Sequence, residues 1–270
     1  FSLVLHPIFG ENLEATSNSA LKSGIAEGVM LAATYLGVLL VIWAFVRFYE
    51  KRPLWTLGLE KTHAVRRYVA GFAVGLLMMG IWTEAMWISG AVVLEDGTAG
   101  LQGLSAVPGV GVILIAWLIQ GAVEEIMFRG WLMQVVSARY RLWLGVAIST
   151  VMYGLLHGMN PGFGLLPLLN LCLYGLFMAL WALKEGSLWG VCGLHSAWNW
   201  SQGNIFGLDV SGSQAGGGTI INLSQSGPAW LTGGAFGPEG GLGVTLLLLV
   251  GIGLIYVLSL SKAPGNALPE

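Results

Sequence analysis

Seven long apolar segments constrain this chain more than any other feature. They fall at roughly 29–46, 68–93, 109–136, 142–158, 162–183, 187–206 and 242–260 of the 270 residues. A helix needs about 20 apolar residues to cross a bilayer, whereas a barrel strand needs about half that length and alternates strictly. These segments approach the helical length and do not alternate. A spanning segment must also satisfy its own backbone groups, which a helix does. The expected fold class is therefore all-α, a polytopic transmembrane helix bundle. With no internal repeat, residues 1–270 read as a single membrane-embedded domain. The fourth segment is the shortest, and polar residues interrupt the sixth.

Composition agrees with that reading. Only 10% of the residues are charged and the mean hydropathy is +0.74, whereas soluble domains carry about 25% charged residues. A net charge of −2 without a basic tract gives no reason to expect a nucleic-acid partner. The expected surroundings are the lipid bilayer. Cys172 and Cys192 lie in apolar segments, offer no metal spacing and read as small packing residues. "GFAVG" at 71–75 has the small-xxx-small spacing that lets helices approach closely.

Basic residues predict the orientation. Arg47, Lys51, Arg52, Lys61, Arg66 and Arg67 follow the first segment, Arg139 and Arg141 the third, Lys184 the fifth and Lys262 the seventh. The opposite ends hold Lys22 with the acidic Glu95, Asp96, Asp209 and Glu239. The excess marks the cytoplasmic side, so odd-numbered spans are expected to run inward and the C-terminus to be cytoplasmic. That places residue 1 outside. "FSLVLHPIFG" has no basic flank and is too short to be an intact signal peptide, so a further span upstream is expected. The Gly-rich segment 207–241, on the outer side and without Lys or Arg, reads either as a flexible connector or as a cover over a cavity.

Within the apolar segments stand Glu84, Glu124, Glu125, Arg129, His157 and His195. A charge at membrane depth costs roughly 2.5–3.5 kcal/mol on insertion scales and marks function by default. Glu84 alone reads as structural. Glu125 and Arg129 are i,i+4 and can pair on one helix face, which turns Glu124 about 100° away. Tyr153 and His157 are also i,i+4, as are His195 and Asn199. Measured from the cytoplasmic basic markers at 1.5 Å per residue, Glu124, His157 and Asn199 lie about 22–24 Å deep and His195 about 17 Å. Three helices therefore bring polar faces to one level.

A carboxylate beside a histidine can hold and deprotonate a water, and a His/Asn pair can donate to a developing oxyanion. Such a set can hydrolyse a carbonyl without a serine or cysteine nucleophile, and no G-x-S-x-G is present. Two His and a carboxylate are equally plausible zinc ligands, although no HExxH occurs. The chemistry alone leaves metal and metal-free readings open.

"EEIMFR" (124–129), "YGLLH" (153–157) and "HSAWN" (195–199) resemble, in order, the EExxxR, FxxxH and HxxxN motifs of the CAAX protease and bacteriocin-processing (CPBP) family, also called abortive-infection proteins. The resemblance covers a motif core of about 109–206, with Tyr153 keeping an aromatic ring where the family has Phe. It implies an eight-helix core, hence one more span than the seven here, and a glutamate-type intramembrane endopeptidase. In that reading Glu124 is the general base, His157 helps hold the water, and His195 and Asn199 form the oxyanion site. Glu125 and Arg129 orient them, with Tyr153 in support. The resemblance favours catalysis without a metal or other cofactor, zinc being the alternative. It implies a peptide or membrane-protein substrate; nothing in the chain singles out a prenyl group. Gly-rich, Lys/Arg-poor outer loops fit a bacterial inner (plasma) membrane. Two other classes stay open: a non-catalytic scaffold or immunity protein, and a proton-coupled transporter, although no related halves are visible.

Overall fold

The structure, a computed structural model, describes residues 19–95 and 101–260. The decapeptide at 1–10, Asp96 and Lys262 lie outside the described residues. All seven apolar segments are helical. Helix α1 (Ala20–Ala44) begins earlier than its apolar run, because the Ser19 side chain accepts the Lys22 N–H at 3.4 Å and caps it. It continues as a π-helical turn, Phe45–Tyr49. Helix α2 (Ala64–Ile88) ends sooner than hydropathy suggests. Gly90, at φ +72°, turns the chain, and strand β1 (Val92–Leu94) pairs antiparallel with β2 (Leu223–Gln225). This small ribbon is the departure from a purely helical fold.

Helix α3 (Val107–Glu125) passes through a π-helical segment, Ile126–Leu132, into α4 (Met133–Arg139), so Gly103–Arg139 is one continuous span. Then follow α5 (Leu142–Leu156), α6 (Leu165–Glu185) and α7 (Trp189–Trp200), the last extended by a π-helical turn, Ser201–Ile205. After β2 come the short α8 (Ala229–Thr232) and α9 (Leu242–Leu260). Among the described residues five helices are long and apolar enough to cross a membrane, and α5 is a shorter apolar helix. Helix α7, 12 residues long, is buried from Gly190 to Asn199. A helix enclosed on all sides needs neither lipid-facing length nor a one-sided apolar stripe, which explains the polar residues in the sixth segment.

Helix α7 is central because glycines let its neighbours close in. A Cβ on Gly75 of α2 would lie 2.5 Å from the Leu194 carbonyl, and one on Gly121 of α3 would lie 2.8 Å from the Ser196 nitrogen. The "GFAVG" spacing thus marks the α2–α7 contact. Contact pairs also give helix directions. Gly24 meets Gly109 and Gly28 meets Ala116, so α1 and α3 run parallel; Gln120 meets Asn199 and Trp117 meets Asn204, so α3 and α7 run antiparallel. This is the alternation expected of consecutive spans.

Segment 207–241 is not a loose connector. Its Leu208, Val210, Thr219, Leu223, Thr232, Phe236 and Glu239 are buried. Asn170 of α6 donates to the carbonyls of Glu239 and Gly241, at 2.8 and 2.9 Å, and Asn204 donates to those of Gly216 and Gly218. Polar side chains at the helix ends take up backbone carbonyls that a Gly-rich segment cannot pair by itself.

Candidate active site

Adjacent Glu124 and Glu125 leave α3 on different faces, and each meets a separate set of partners. Glu125 is fully buried, and its Oε1 accepts from Arg129 Nη1 at 2.9 Å and His195 Nδ1 at 2.8 Å. Arg129 is equally buried; its guanidinium carbon lies 4.7 Å from the centre of the Tyr153 ring, a cation–π contact strengthened by exclusion of water. Arg129 sits inside the π-helical segment, a local rewinding often found at functional sites.

Glu124 faces the other way. Its Oε1 accepts from the Tyr35 hydroxyl of α1 at 2.6 Å and from Gln120 Nε2 at 2.8 Å. Its Oε2 has no hydrogen-bond partner and lies 3.7 Å from His195 Nε2. The imidazole of His195 thus stands between two carboxylates. Because Glu125 can only accept while ionised, Nδ1 carries a proton. In the neutral ring Nε2 is then an acceptor, and only the imidazolium donates there.

Asn199, one turn beyond His195, donates from Nδ2 to Gln120 Oε1 at 2.9 Å. Gln120 therefore links Asn199 to Glu124, and the second Nδ2 hydrogen remains to serve a ligand. His157 is the residue after α5, half-buried, and bonds through Nδ1 to the Tyr153 carbonyl at 2.9 Å rather than to Glu124. The Tyr153 ring contacts both histidines, with centroids 5.0 Å from His157 and 6.3 Å from His195.

The structure therefore brings Glu124, Glu125, Arg129, Tyr153, His195 and, through Gln120, Asn199 into one buried cluster, with His157 at its edge. Glu84 is exposed on α2 and takes no part. Sequence reading missed Gln120, Tyr35 and Glu239. Gln120 was recoverable, being four residues before Glu124 on the same face. Tyr35 lies 89 residues away and carried no signal beyond a phenol hydroxyl in an apolar span. Glu239 lines a small cavity with Tyr153, Asn170, Tyr174, Trp198 and Asn199. Its carboxylate accepts from Gln202 Nε2 at 2.7 Å and the Ser211 N–H at 3.0 Å. Burial raises its pKa, against the opposing effect of those donors and of His157. Burial likewise raises that of Asp209, in the same segment. Among the described residues no three His, Cys, Asp or Glu side chains are placed to hold a metal ion.

Fold and site together define a polytopic helical membrane protein with a buried acid–base cluster. Residues 106–201 match the family described as Rce1-like, type II CAAX prenyl endopeptidase. This stretch carries all three motifs, and the match agrees with their resemblance to the CPBP family. The family implies a peptidase. No curated protein and no solved structure matches the chain.

Proposed function

We propose that this chain is a glutamate-type intramembrane endopeptidase acting on a peptide or membrane-associated protein without a metal. The observation that carries the reading is the unpartnered Glu124 Oε2, buried and 3.7 Å from His195 Nε2. A carboxylate oxygen without a protein donor, facing a histidine that another carboxylate holds in place, is arranged for proton transfer rather than for packing.

In the proposed reaction Glu124 Oε2 takes a proton from water, aided by His157, as the water oxygen bonds to the peptide carbonyl carbon. The carbonyl oxygen becomes an oxyanion. His195 donates to it from Nε2 as the imidazolium, and Asn199 donates its second Nδ2 hydrogen. With that imidazolium, Glu124, Glu125, Arg129 and His195 carry two negative and two positive charges, which a low-dielectric site requires. Collapse breaks the C–N bond, and Glu124 returns its proton to the leaving amine. Glu125 and Arg129 act through His195, and Tyr153 supports Arg129 and both histidines. In the bilayer we place the C-terminus on the cytoplasmic side of a bacterial plasma membrane, from the distribution of basic residues.

The test is cleavage of a quenched peptide library by purified protein in detergent. Wild-type cleavage is expected to be lost in Glu124→Gln, His157→Ala and His195→Ala. Equal turnover in all four proteins would end the peptidase reading.

A further inference from the structure

The hydrogen bond from Tyr35 to Glu124 joins the site to a helix outside the family-matched stretch. Helix α1 packs on α3 through Gly24 and Gly28, while Val29, Leu36, Leu40 and Val41 remain exposed. Midway along it, Thr34 folds its hydroxyl back onto the Met30 carbonyl at 2.9 Å, whereas Tyr35 extends its own inward to Glu124 Oε1 at 2.6 Å. That distance falls within the range of a charge-assisted O–H···O bond. Gln120 donates to the same oxygen at 2.8 Å. The two carboxylate oxygens are thus unequal: Oε1 holds two donors, and Oε2 holds none while facing His195.

We infer that Tyr35 is a positioning residue for the general base. With Gln120 it fixes the rotation of the Glu124 carboxylate, so that Oε2 is the oxygen that takes the proton from water. The inference rests on the peptidase reading for its catalytic part. A carboxylate held by one donor instead of two spends part of its time turned away from His195. Because Tyr35 touches Glu124, and the substrate meets the opposite oxygen, its loss acts on the chemical step rather than on binding. The first span thereby contributes to catalysis as well as to anchoring.

The experiment compares wild type, Tyr35→Phe and Glu124→Gln in detergent, by steady-state cleavage of a quenched peptide and by infrared difference spectroscopy. The Glu124 carboxylate band is identified as the one missing in Glu124→Gln. Tyr35→Phe keeps the ring and removes one oxygen. It is expected to lower kcat about 10- to 100-fold, the range for a hydrogen bond to a charged group, with KM within about twofold, and to shift the carboxylate band. Difluorotyrosine at position 35, a stronger donor with the same ring, is expected to move the band the opposite way and guards against misfolding of the Phe variant. An unshifted band in both, or a change confined to KM, overturns the inference. A wild type that cleaves nothing would remove the peptidase reading instead, and the band alone would then decide whether Tyr35 holds Glu124.

Discussion

Glu125 Oε1 accepts from His195 Nδ1 at 2.8 Å, and the same oxygen accepts from Arg129 Nη1 at 2.9 Å. One atom therefore neutralises a fully buried guanidinium and fixes the imidazole. Glu125→Gln leaves Arg129 without a counter-charge, a loss that costs on the order of 3–5 kcal/mol in a protein interior, and it frees His195 to turn. Thermal unfolding and peptide cleavage are expected to fall together. A variant with wild-type melting and no activity would mean that Glu125 belongs to the chemistry alone.

Glu124→Gln is expected to behave differently. The amide oxygen can still accept from Tyr35 and Gln120, so the melting temperature is expected to stay near that of wild type. The general base is gone, and turnover is expected to fall about 10²- to 10⁴-fold. Unfolding in Glu124→Gln paired with mere silencing in Glu125→Gln would exchange the two roles.

The separation of Glu124 from the Glu125–Arg129 pair was legible in the sequence, because it follows from the 100° step between adjacent helical residues. The seven helices were legible for a similar reason, since lipid allows few alternatives to an apolar helix. Helix ends were less so. Ser19 extends α1 by a cap, and β1 shortens α2 by a pairing partner more than 120 residues away. Hydropathy registers neither. The partners of Glu124 were hidden likewise: Gln120 is uncharged, and Tyr35 arrives on another helix. The segment 207–241 was the least legible, because its carbonyls are satisfied by the side chains of Asn170 on α6 and Asn204 at the end of α7.

The approach of α2 to α7 places His195, and a matched pair of substitutions tests it. A side chain at Gly75 meets the Leu194 carbonyl, next to His195, whereas nothing lies within 4 Å of a Cβ at Gly80 on the same helix. Gly75→Val is expected to destabilise by roughly 1–3 kcal/mol, as overpacking does, and to abolish cleavage by displacing His195. Gly80→Ala is expected to melt at or above the wild-type temperature, since Ala is the better helix former. Equal effects from both would show that α2 does not set the position of α7.

Metal dependence has a direct check. His195 Nδ1 is committed to Glu125, and His157 Nδ1 to the Tyr153 carbonyl. The proposed reaction uses these side chains and water. Cleavage is expected to survive prolonged treatment with a strong chelator. Loss of activity that stoichiometric zinc restores would replace the metal-free mechanism.

Glu239 supplies a pH dependence with a definite sign. Burial raises its carboxyl pKa in the folded state, while the unfolded value is about 4.3. The folded protein therefore binds this proton more tightly than the unfolded chain. Its contribution to stability is fully present below about pH 4.3 and is lost as pH rises through the folded pKa. Asp209 shifts in the same direction. Glu239→Gln mimics the protonated group and keeps an oxygen for Gln202 and Ser211. The expected result is a variant that melts above wild type at pH 8, with the gap closing as the pH is lowered to 5. This is read by thermal unfolding of both proteins in the same detergent. A gap that widens on acidification would mean that the donors from Gln202 and Ser211 outweigh burial, and that segment 207–241 is held by an ionised carboxylate.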